Sequence, residues 1–178
     1  FILALAVALQ DGDQVAFRTH ASPSNAQYQY LDAHTGDGSL GMAPSTDYTS
    51  YSGTHWKAHK FSDGSWAFES LGSIHNSQYI YLDANTYTGA VALKSTTDYP
   101  FTGTHWSLPT LSDGNVGLKT MSEHANSNFV YLDVNVNTGG SLGLKSTTDY
   151  PFTGTHWEIV TLVPAATGIP AATSKLAD

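Results

Sequence analysis

The chain has 178 residues, no cysteine and few charges, since Asp, Glu, Lys and Arg together make up 12% of it. Its formal net charge of −8 repels phosphate groups, so neither nucleic acid nor the surface of an anionic membrane is an expected partner. Without cysteine it has no disulfides and no thiolate chemistry, which weakly favours a reducing compartment but leaves a cytoplasmic and a secreted location open. The length suits one domain with a buried core.

The first ten residues, FILALAVALQ, are apolar but too short to cross a bilayer, which takes about 20 residues. No membrane insertion is therefore expected. Two interpretations of this N-terminal segment, residues 1–13, stay open: an additional ordered strand, which we favour, and the remnant of a signal peptide.

Two short motifs recur three times along the chain at a spacing of about 50 residues. The first is Tyr-Leu-Asp, at residues 30–32, 81–83 and 131–133, and its aspartates are 51 and 50 residues apart. The second is Gly-Thr-His-Trp, at residues 53–56, 103–106 and 154–157. The sequence therefore predicts three repeats, over residues 14–62, 65–112 and 115–162, followed by a Pro- and Ala-rich tail over residues 163–178.

Each repeat contains four short runs with strand character, bounded by Gly, Asn, Asp, Ser or Pro. In the second repeat the predicted strands are Trp66–Ser70, Tyr79–Ala84, Ala90–Ser95 and His105–Leu111. No stretch has a sustained helical period of about 3.6 residues, so almost no helix is expected.

Twelve predicted strands in three equal repeats restrict the choice of all-β architecture. An open solenoid would need atypical capping repeats at its ends. A propeller of four-stranded blades usually has four or more blades. A barrel capped by three hairpins, the β-trefoil with pseudo-threefold symmetry, accommodates three such repeats, and we predict this fold.

The repeat resembles that of ricin-B-type lectins. In the second repeat the matching residues are Tyr81-Leu82-Asp83-Ala84, the turn at Gly89, the apolar run Val91-Ala92-Leu93 and the closing Thr104-His105-Trp106. The cysteine-free composition is closer in character to fungal trefoil lectins and to the lectin-like light chain of mushroom tyrosinase. The resemblance extends over residues 14–162 and implies a β-trefoil that binds mono- or oligosaccharides on glycoconjugates.

The resemblance also implies that the aspartate after each Tyr-Leu is the main ligand of a sugar. A carboxylate can accept hydrogen bonds from two neighbouring sugar hydroxyls, although a short polar residue at a strand end can also cap the following turn. We add to each aspartate the His or Asn two residues on, a nearby tyrosine and, in two repeats, the lysine that stands where the family has its stacking aromatic. The predicted sites are Asp32, His34 and Tyr48; Asp83, Asn85, Lys94 and Tyr99; and Asp133, Asn135, Lys145 and Tyr150.

The sequence departs from the family pattern in ways that leave the sugar undefined. The glutamine of the family's closing motif is a threonine here, at positions 54, 104 and 155. Residues 93–106 and 144–157 are identical, whereas the first repeat differs, with Ala43 in place of the lysine and one additional residue. The second and third sites are therefore expected to be alike and the first to differ. Phe101 and Phe152 are further aromatic candidates.

The Trp and His of the repeated tetrad are expected to face opposite sides of their strands. Three equivalent tryptophans are more typical of a core than of a binding site. The three histidines could in principle converge on a metal ion, but strand alternation directs them outward and apart, so no metal or other cofactor is predicted.

A binding protein is favoured over an enzyme, because the sequence has no nucleophile elbow, phosphate loop or HExxH motif and its Asp and His recur symmetrically. Repeated residues suit repeated, individually weak sites that gain by multivalency. The alternative is a lectin-like subunit that binds a protein partner or inhibits a protease. A cytoskeletal crosslinker of the fascin type is a further alternative, which the acidic composition disfavours.

Overall fold

The computed structural model describes residues 8–21, 26–98, 102–122, 127–149 and 153–165. These residues form twelve β-strands and four single turns of 3₁₀ helix, and no α-helix occurs within them. The strands are β1 Gln14–Thr19, β2 Tyr30–His34, β3 Ser39–Ala43, β4 Trp56–Lys60, β5 Trp66–Ser70, β6 Tyr81–Asn85, β7 Ala90–Lys94, β8 Trp106–Ser107, β9 Lys119–Thr120, β10 Tyr131–Asn135, β11 Ser141–Lys145 and β12 Trp157–Val163. The all-β prediction is confirmed.

Three of the 3₁₀ turns contain the Gly-Thr of the repeated tetrad and are called the tetrad turns. They are Ser52–Thr54, Thr102–Thr104 and Thr153–Thr155. The fourth 3₁₀ turn, Val136–Thr138, directly follows β10. The tetrad turns therefore precede the strands that begin at the repeated tryptophans.

The predicted strands of the second repeat agree with the structure except at the last one. Its first strand has the predicted bounds, and the next two differ from prediction by one or two residues at their ends. The last predicted strand, His105–Leu111, is reduced to β8. Pro109 explains the difference, because it has no N–H for a ladder, although its carbonyl still accepts from Gly117 N at 2.9 Å.

The strand pairs are antiparallel, and two sets of them each occur three times. In the first set, β2–β3, β6–β7 and β10–β11 form hairpins inside a repeat. In the second set, β4–β5, β8–β9 and β12–β1 join the end of one repeat to the start of another. Single bridges at Thr110–Val116 and Val116–Trp157 connect the residues before β9 to the segment after β8 and to β12.

The turns of the first two intra-repeat hairpins need glycine. Gly38 and Gly89 have φ of +80° and +76°, in the left-handed region. A Cβ on Gly38 would also lie 2.3 Å from the Tyr79 ring, and one on Gly89 would lie 2.6 Å from the Phe129 ring. Each turn therefore packs closely against an aromatic residue of the following repeat.

The core is built from the same positions in each repeat. Trp56, Trp106 and Trp157 are fully buried, which confirms the prediction that the tetrad tryptophans are core residues. Their indole N–H groups donate to the carbonyls of the Tyr-Leu-Asp leucines, at 3.3, 3.0 and 3.0 Å in chain order. The side chains of those leucines are fully buried too: Leu31, Leu82 and Leu132. Because side chains alternate along a strand, the neighbouring aspartates face away from this core.

Candidate functional site

The three predicted aspartates occupy the same place in their hairpins. Asp32 lies opposite Gly41, Asp83 opposite Ala92 and Asp133 opposite Gly143. Cross-strand partners share a face of the sheet, and the small partner leaves space beside each carboxylate. The sequence pattern thus places three equivalent carboxylates, each beside a small residue.

Each aspartate also packs against the glycine of its tetrad turn. A Cβ added to Gly53 would lie 2.6 Å from Asp32 Oδ1 and 2.1 Å from the Ala33 carbonyl oxygen. The corresponding distances to the aspartate and to the next carbonyl are 2.7 and 2.0 Å for Gly103, and 2.6 and 2.0 Å for Gly154. The tetrad glycine therefore belongs to the site, which the sequence analysis missed although the glycine recurs invariantly within the chain.

The carboxylates are held in largely desolvated positions. The Asp32 side chain is 13% exposed, and residues Asp83 and Asp133 are 7% and 6% exposed. Burial raises the pKa of all three carboxyls, and the opposing attraction of a nearby basic side chain is smaller. That side chain is Lys94 beside Asp83 and Lys145 beside Asp133, whereas beside Asp32 it is a histidine, His34.

A cavity of about 370 Å³ opens beside Asp32 in the first repeat. Its walls are the β2–β3 hairpin, the first tetrad turn with the residues before it, and a loop of the second repeat. The lining residues are Asp32, Ala33, His34, Thr35, Gly36, Asp37, Ser50, Tyr51, Ser52, Gly53, Ser73 and Ile74. The volume is within the range of small-ligand sites, and the lining combines hydroxyls, carboxylates and an aromatic ring.

The loop of the second repeat is fixed to the first tetrad turn through two serines. The Ser73 backbone N–H donates to Ser52 Oγ at 2.9 Å, and the two hydroxyl oxygens lie 3.0 Å apart. Ile74, 61% exposed, lies on the rim of the cavity. This wall is not predicted from the sequence, because nothing in a single repeat indicates which loop of the next repeat will lie beside its aspartate.

A hydrogen-bonded network connects Asp32 to the hairpin turn. His34 Nε2 lies 3.3 Å from Asp32 Oδ2, and His34 Nδ1 lies 3.0 Å from Ser39 Oγ. The Ser39 hydroxyl and backbone N–H donate to Asp37 Oδ1 at 2.7 and 2.9 Å. The order carboxylate, imidazole, hydroxyl is that of a hydrolase triad, but here the serine hydroxyl is shared between the imidazole and a second carboxylate, Asp37.

The two asparagines of the predicted sites cap their hairpin turns. Asn85 Oδ1 accepts from the backbone N–H groups of Tyr87 and Thr88 at 3.0 and 3.2 Å. Asn135 Oδ1 accepts from Asn137 N at 3.1 Å. The alternative role considered for the Tyr-Leu-Asp aspartates was to cap the following turn. In these two hairpins the asparagines cap that turn.

The lysines and tyrosines of the predicted sites have different positions. Lys94 and Lys145 lie opposite Tyr81 and Tyr131 in their strand pairs, and their charges act on Asp83 and Asp133. Tyr48 is not among the residues that line the first cavity, because its ring packs edge-on against His55 and its hydroxyl donates to the Leu71 carbonyl at 3.1 Å. Tyr51 lines the cavity instead. Tyr99, Phe101, Tyr150 and Phe152 lie outside the described residues.

The tetrad histidines point away from the core, as predicted, and each anchors the segment before its tetrad turn. Their Nε2 atoms lie 2.9, 3.1 and 2.8 Å from the carbonyls of Thr46, Thr97 and Thr148. Within the part of the chain that the structure describes, no three His, Cys, Asp or Glu side chains form a group suited to a metal ion. No helix in the described ranges is long and apolar enough to span a membrane.

A second cavity, of about 620 Å³, lies between β12 and the segment that joins β8 to β9. Its lining includes Leu9, Trp66, Leu108, Val116 and Ile159, together with a few polar residues. None of the predicted site residues lines it. It is therefore separate from the aspartate positions.

Comparison with known proteins gives a likeness of fold but no family. No protein-family profile matches the sequence, and no curated protein matches it either. Among solved structures, the chain is similar to a GlcNAcα1-4Gal-releasing endo-β-galactosidase from Clostridium perfringens, with a TM-score of 0.59 and 13% identity. The match covers 84% of this chain and 32% of the other, so this chain spans about a third of that protein's length.

The likeness corrects one prediction. From the sequence we predict a protein that is not an enzyme, and the similar structure belongs to an enzyme, an endo-β-galactosidase. At 13% identity the likeness shows the fold alone, so it does not assign that activity to this chain.

Proposed function

We propose that residues 14–162 form a β-trefoil with repeats 14–62, 65–112 and 115–162, and that residues 1–13 and 163–178 lie outside the repeats. The order of strand pairing supports this: β1, β4, β5, β8 and β9 are neighbours in that order, and β12 returns to β1. The Val116–Trp157 bridge joins the last two segments of the ring. A ring with three additional hairpins is the arrangement that three trefoil repeats require.

We propose that the protein binds carbohydrate through up to three repeat-equivalent sites. The observation that carries this is a largely buried carboxylate, Asp32, in the wall of a cavity of about 370 Å³ lined by hydroxyl groups. Its packing against a tetrad glycine recurs at Asp83 and Asp133. Ionisable groups held where burial opposes their charge are concentrated at functional sites, because folding alone gains nothing from them.

In each proposed site the aspartate accepts hydrogen bonds from two sugar hydroxyls. In the first site Tyr51 offers its ring to the sugar face, and His34 holds the carboxylate. In the other two sites Lys94 and Lys145 hold the carboxylates. The proposed stacking residues there remain Tyr99 and Tyr150. Each site alone is weak, and binding to a surface that carries many glycans is strengthened by multivalency.

The test is a glycan-array comparison of the native protein with an Asp83→Ala/Asp133→Ala variant whose folding has been verified by circular dichroism. The array includes galactose- and N-acetylglucosamine-terminated glycans, and an aliquot of each bound glycan is examined for cleavage. The native protein is expected to bind and the variant to lose most of that binding. An Asp11→Ala/Asp63→Ala variant, which removes the same charge from two exposed aspartates, is the matched control.

Failure of the native protein to bind any glycan would contradict the proposal. The lectin-like subunit with a protein partner would then be the function to test, by affinity capture and identification of the partner. Binding that survives in the Asp83→Ala/Asp133→Ala variant at the native level would restrict sugar binding to the Asp32 site or to another surface.

A further inference from the structure

Three equivalent positions in the strand pairing lie beside the tetrad tryptophans, and they hold side chains of unequal size. They are Val15, Trp66 and Val116, and each is paired with one tetrad tryptophan, in that order Trp56, Trp106 and Trp157. Cross-strand partners share a face of the sheet, so all three side chains face the core. Where the second repeat has an indole ring, the first and third repeats have only the smaller side chain of valine.

The first and third repeats differ in how completely this smaller side chain is covered. Val15 is fully buried, and so is Ala58, which follows its tetrad tryptophan by two positions. Val116 is partly exposed, as are Leu108 and Ile159, which follow their tetrad tryptophans by the same two positions. The cavity of about 620 Å³ lies at this incompletely covered part of the core.

Most of the lining of this cavity is apolar, and none of the described residues that line it is basic. One wall is aromatic, and the others are built from aliphatic side chains of β12, of the segment between β8 and β9 and of the residues before β1. The apolar lining residues are Ala8, Leu9, Trp66, Leu108, Val116, Trp157 and Ile159. Concave, mainly apolar sites of about 300–1,000 Å³ are typical of small-molecule binding, and the mouths of β-barrels are among their preferred places.

The polar residues of the lining offer hydroxyl groups rather than charges. The carboxylate of Glu158 is turned to the outer face of the sheet, where it lies 3.3 Å from Arg18 Nη1. The side-chain amide of Asn115 donates within its own turn. Thr110 and Thr161, both exposed, contribute hydroxyl groups to the lining. A charged ligand would lose its hydration here without gaining a counter-charge, so the lining favours an uncharged molecule.

We propose that this cavity is a second binding site, which takes a small uncharged apolar molecule: an aromatic or branched aliphatic compound with at most a hydroxyl group. The indole of Trp66 and the side chains of Leu108, Val116 and Ile159 remove the apolar surface of the ligand from water, and this burial supplies the affinity. A sugar fits the site poorly, because most of its hydroxyl groups would find no hydrogen-bond partner in an apolar lining.

The test is a fluorescence titration of the full chain with N-phenyl-1-naphthylamine, an uncharged aromatic probe whose emission increases in apolar surroundings. The native protein is expected to bind the probe saturably. NMR of the ¹⁵N-labelled chain then locates the probe: the backbone amides of Val116 and Ile159, which line the cavity, are expected to shift. The amide of Gly41, opposite Asp32 in the first hairpin, is expected to stay unchanged.

Two substitutions in the lining test the site, each with a matched control. Val116→Trp installs the residue found at the equivalent position 66, fills part of the cavity and is expected to weaken probe binding at least about tenfold. Its control is Met121→Trp, at a residue that is 48% exposed and outside the lining. Leu9→Asp places a charge in the lining from a residue before β1, and it is expected to weaken binding by a similar factor. Its control is Val163→Asp, at a residue that is 50% exposed and also outside the lining.

The outcome is independent of the proposed carbohydrate sites, because none of their residues lines this cavity. Probe binding that both lining variants weaken and both controls retain would support the second site, and the Asp83→Ala/Asp133→Ala variant should bind the probe as the native protein does. The proposal is wrong if the native protein binds no probe saturably, or if neither lining variant weakens the binding. Loss of glycan binding in a folded Val116→Trp variant would place the sugar in this cavity and would equally overturn the proposal.

Discussion

At the scale of single residues, the tetrad glycines show how closely the proposed sites are built. Gly53, Gly103 and Gly154 each place a backbone where a side chain would overlap the next carbonyl and the aspartate. The backbone conformation does not require glycine at these positions, since none of the three has a positive φ. Glycine is needed there because the aspartate approaches the turn.

We predict that Gly103→Ala is strongly destabilising. The new methyl group would lie 2.0 Å from the Ala84 carbonyl oxygen and 2.7 Å from Asp83 Oδ1, so backbone must shift. A loss of about 2–4 kcal/mol in the free energy of unfolding is expected, measured by urea denaturation. Gly36→Ala is the matched control, since its new methyl would meet only Ile74 at an ordinary 3.8 Å. Equal stability of the two variants would contradict the packing described here.

The pair formed by His156 and Asp113 predicts a pH dependence of stability. His156 Nδ1 lies 2.6 Å from Asp113 Oδ2, while its Nε2 lies 2.8 Å from the Thr148 carbonyl. Burial lowers the pKa of His156, but the hydrogen bond to Asp113 and the Thr148 carbonyl outweigh it, and the net pKa is raised. The hydrogen bonds from His156 and Asn115 hold the pKa of Asp113 well below its usual range.

The two pKa shifts define the pH range in which this pair stabilises the fold. The contribution of His156 is complete below the ordinary histidine value of 6.5 and is lost as pH rises through its raised pKa. The contribution of Asp113 is complete above the ordinary value of 3.8 and is lost as pH falls through its depressed pKa. Asp113→Asn should therefore lower the free energy of unfolding by on the order of 1 kcal/mol or less near pH 5–6. Near pH 9 the decrease should be smaller, and thermal unfolding at both pH values measures the difference.

The repeat equivalent of this pair supplies the control. In the second repeat His105 Nδ1 faces Ser65 Oγ at 3.3 Å rather than a carboxylate, and Asp63 bonds to Ser65 instead. Asp63→Asn is expected to show no comparable change between pH 6 and 9. If Asp113→Asn loses the same stability at both pH values, the hydrogen bonds of Asp113 with Asn115, and not its pair with His156, account for most of the contribution.

At the scale of elements, Pro109 is the point where the β8–β9 pair departs from the other two inter-repeat pairs, β4–β5 and β12–β1. In β4–β5 the ladder runs through His59 and Ala67 without interruption. At the equivalent place the Gly117 N–H donates to the Pro109 carbonyl, and Pro109 can return no bond.

We predict that Pro109→Ala lengthens β8 by restoring the missing bond to the Gly117 carbonyl. The two residues would then exchange both hydrogen bonds, as antiparallel partners in such a position do. The backbone amide that the substitution introduces should exchange with solvent at least tenfold more slowly than an unprotected amide, measured by hydrogen exchange, while stability changes by less than about 1 kcal/mol. Exchange at the unprotected rate would show that the local backbone, and not the missing donor, interrupts the strand.

The elements also show what the sequence could and could not supply. Alternation within Tyr-Leu-Asp and Gly-Thr-His-Trp is enough to predict buried Leu82 and Trp106 with Asp83 and His105 on the other side. The contact between Asp83 and Gly103 could not be predicted, since it joins residues 20 positions apart through a turn whose shape depends on the whole repeat.

Of two further features of the first site, one could not be predicted from the sequence and the other was present in it but could not be interpreted. The wall at Ser73 comes from another repeat, so no pattern within residues 14–62 indicates it. The sequence shows that the first repeat has Ala43 where the other repeats have a lysine, and that it has His34 where they have an asparagine. The meaning of this difference needed the strand register, which places position 43 where the other repeats have their lysines.

At the scale of the whole molecule, the three sequence repeats are alike at the aspartate and differ around it. The charges of Lys94 and Lys145 act on the carboxylates of the second and third repeats, whereas in the first repeat the basic side chain beside the carboxylate is His34. The three proposed sites would suit attachment to a surface with many ligands, where weak contacts add.

The most direct test of the proposed function is a crystal structure of the protein with bound sugar, obtained with the glycan that gives the strongest array signal. Hydroxyl groups of that sugar are expected within about 2.5–3.0 Å of the carboxylate oxygens of Asp32, Asp83 or Asp133. Sugar bound with no contact to any of these three carboxylates, for example in the cavity of about 620 Å³ beside β12, would contradict the account.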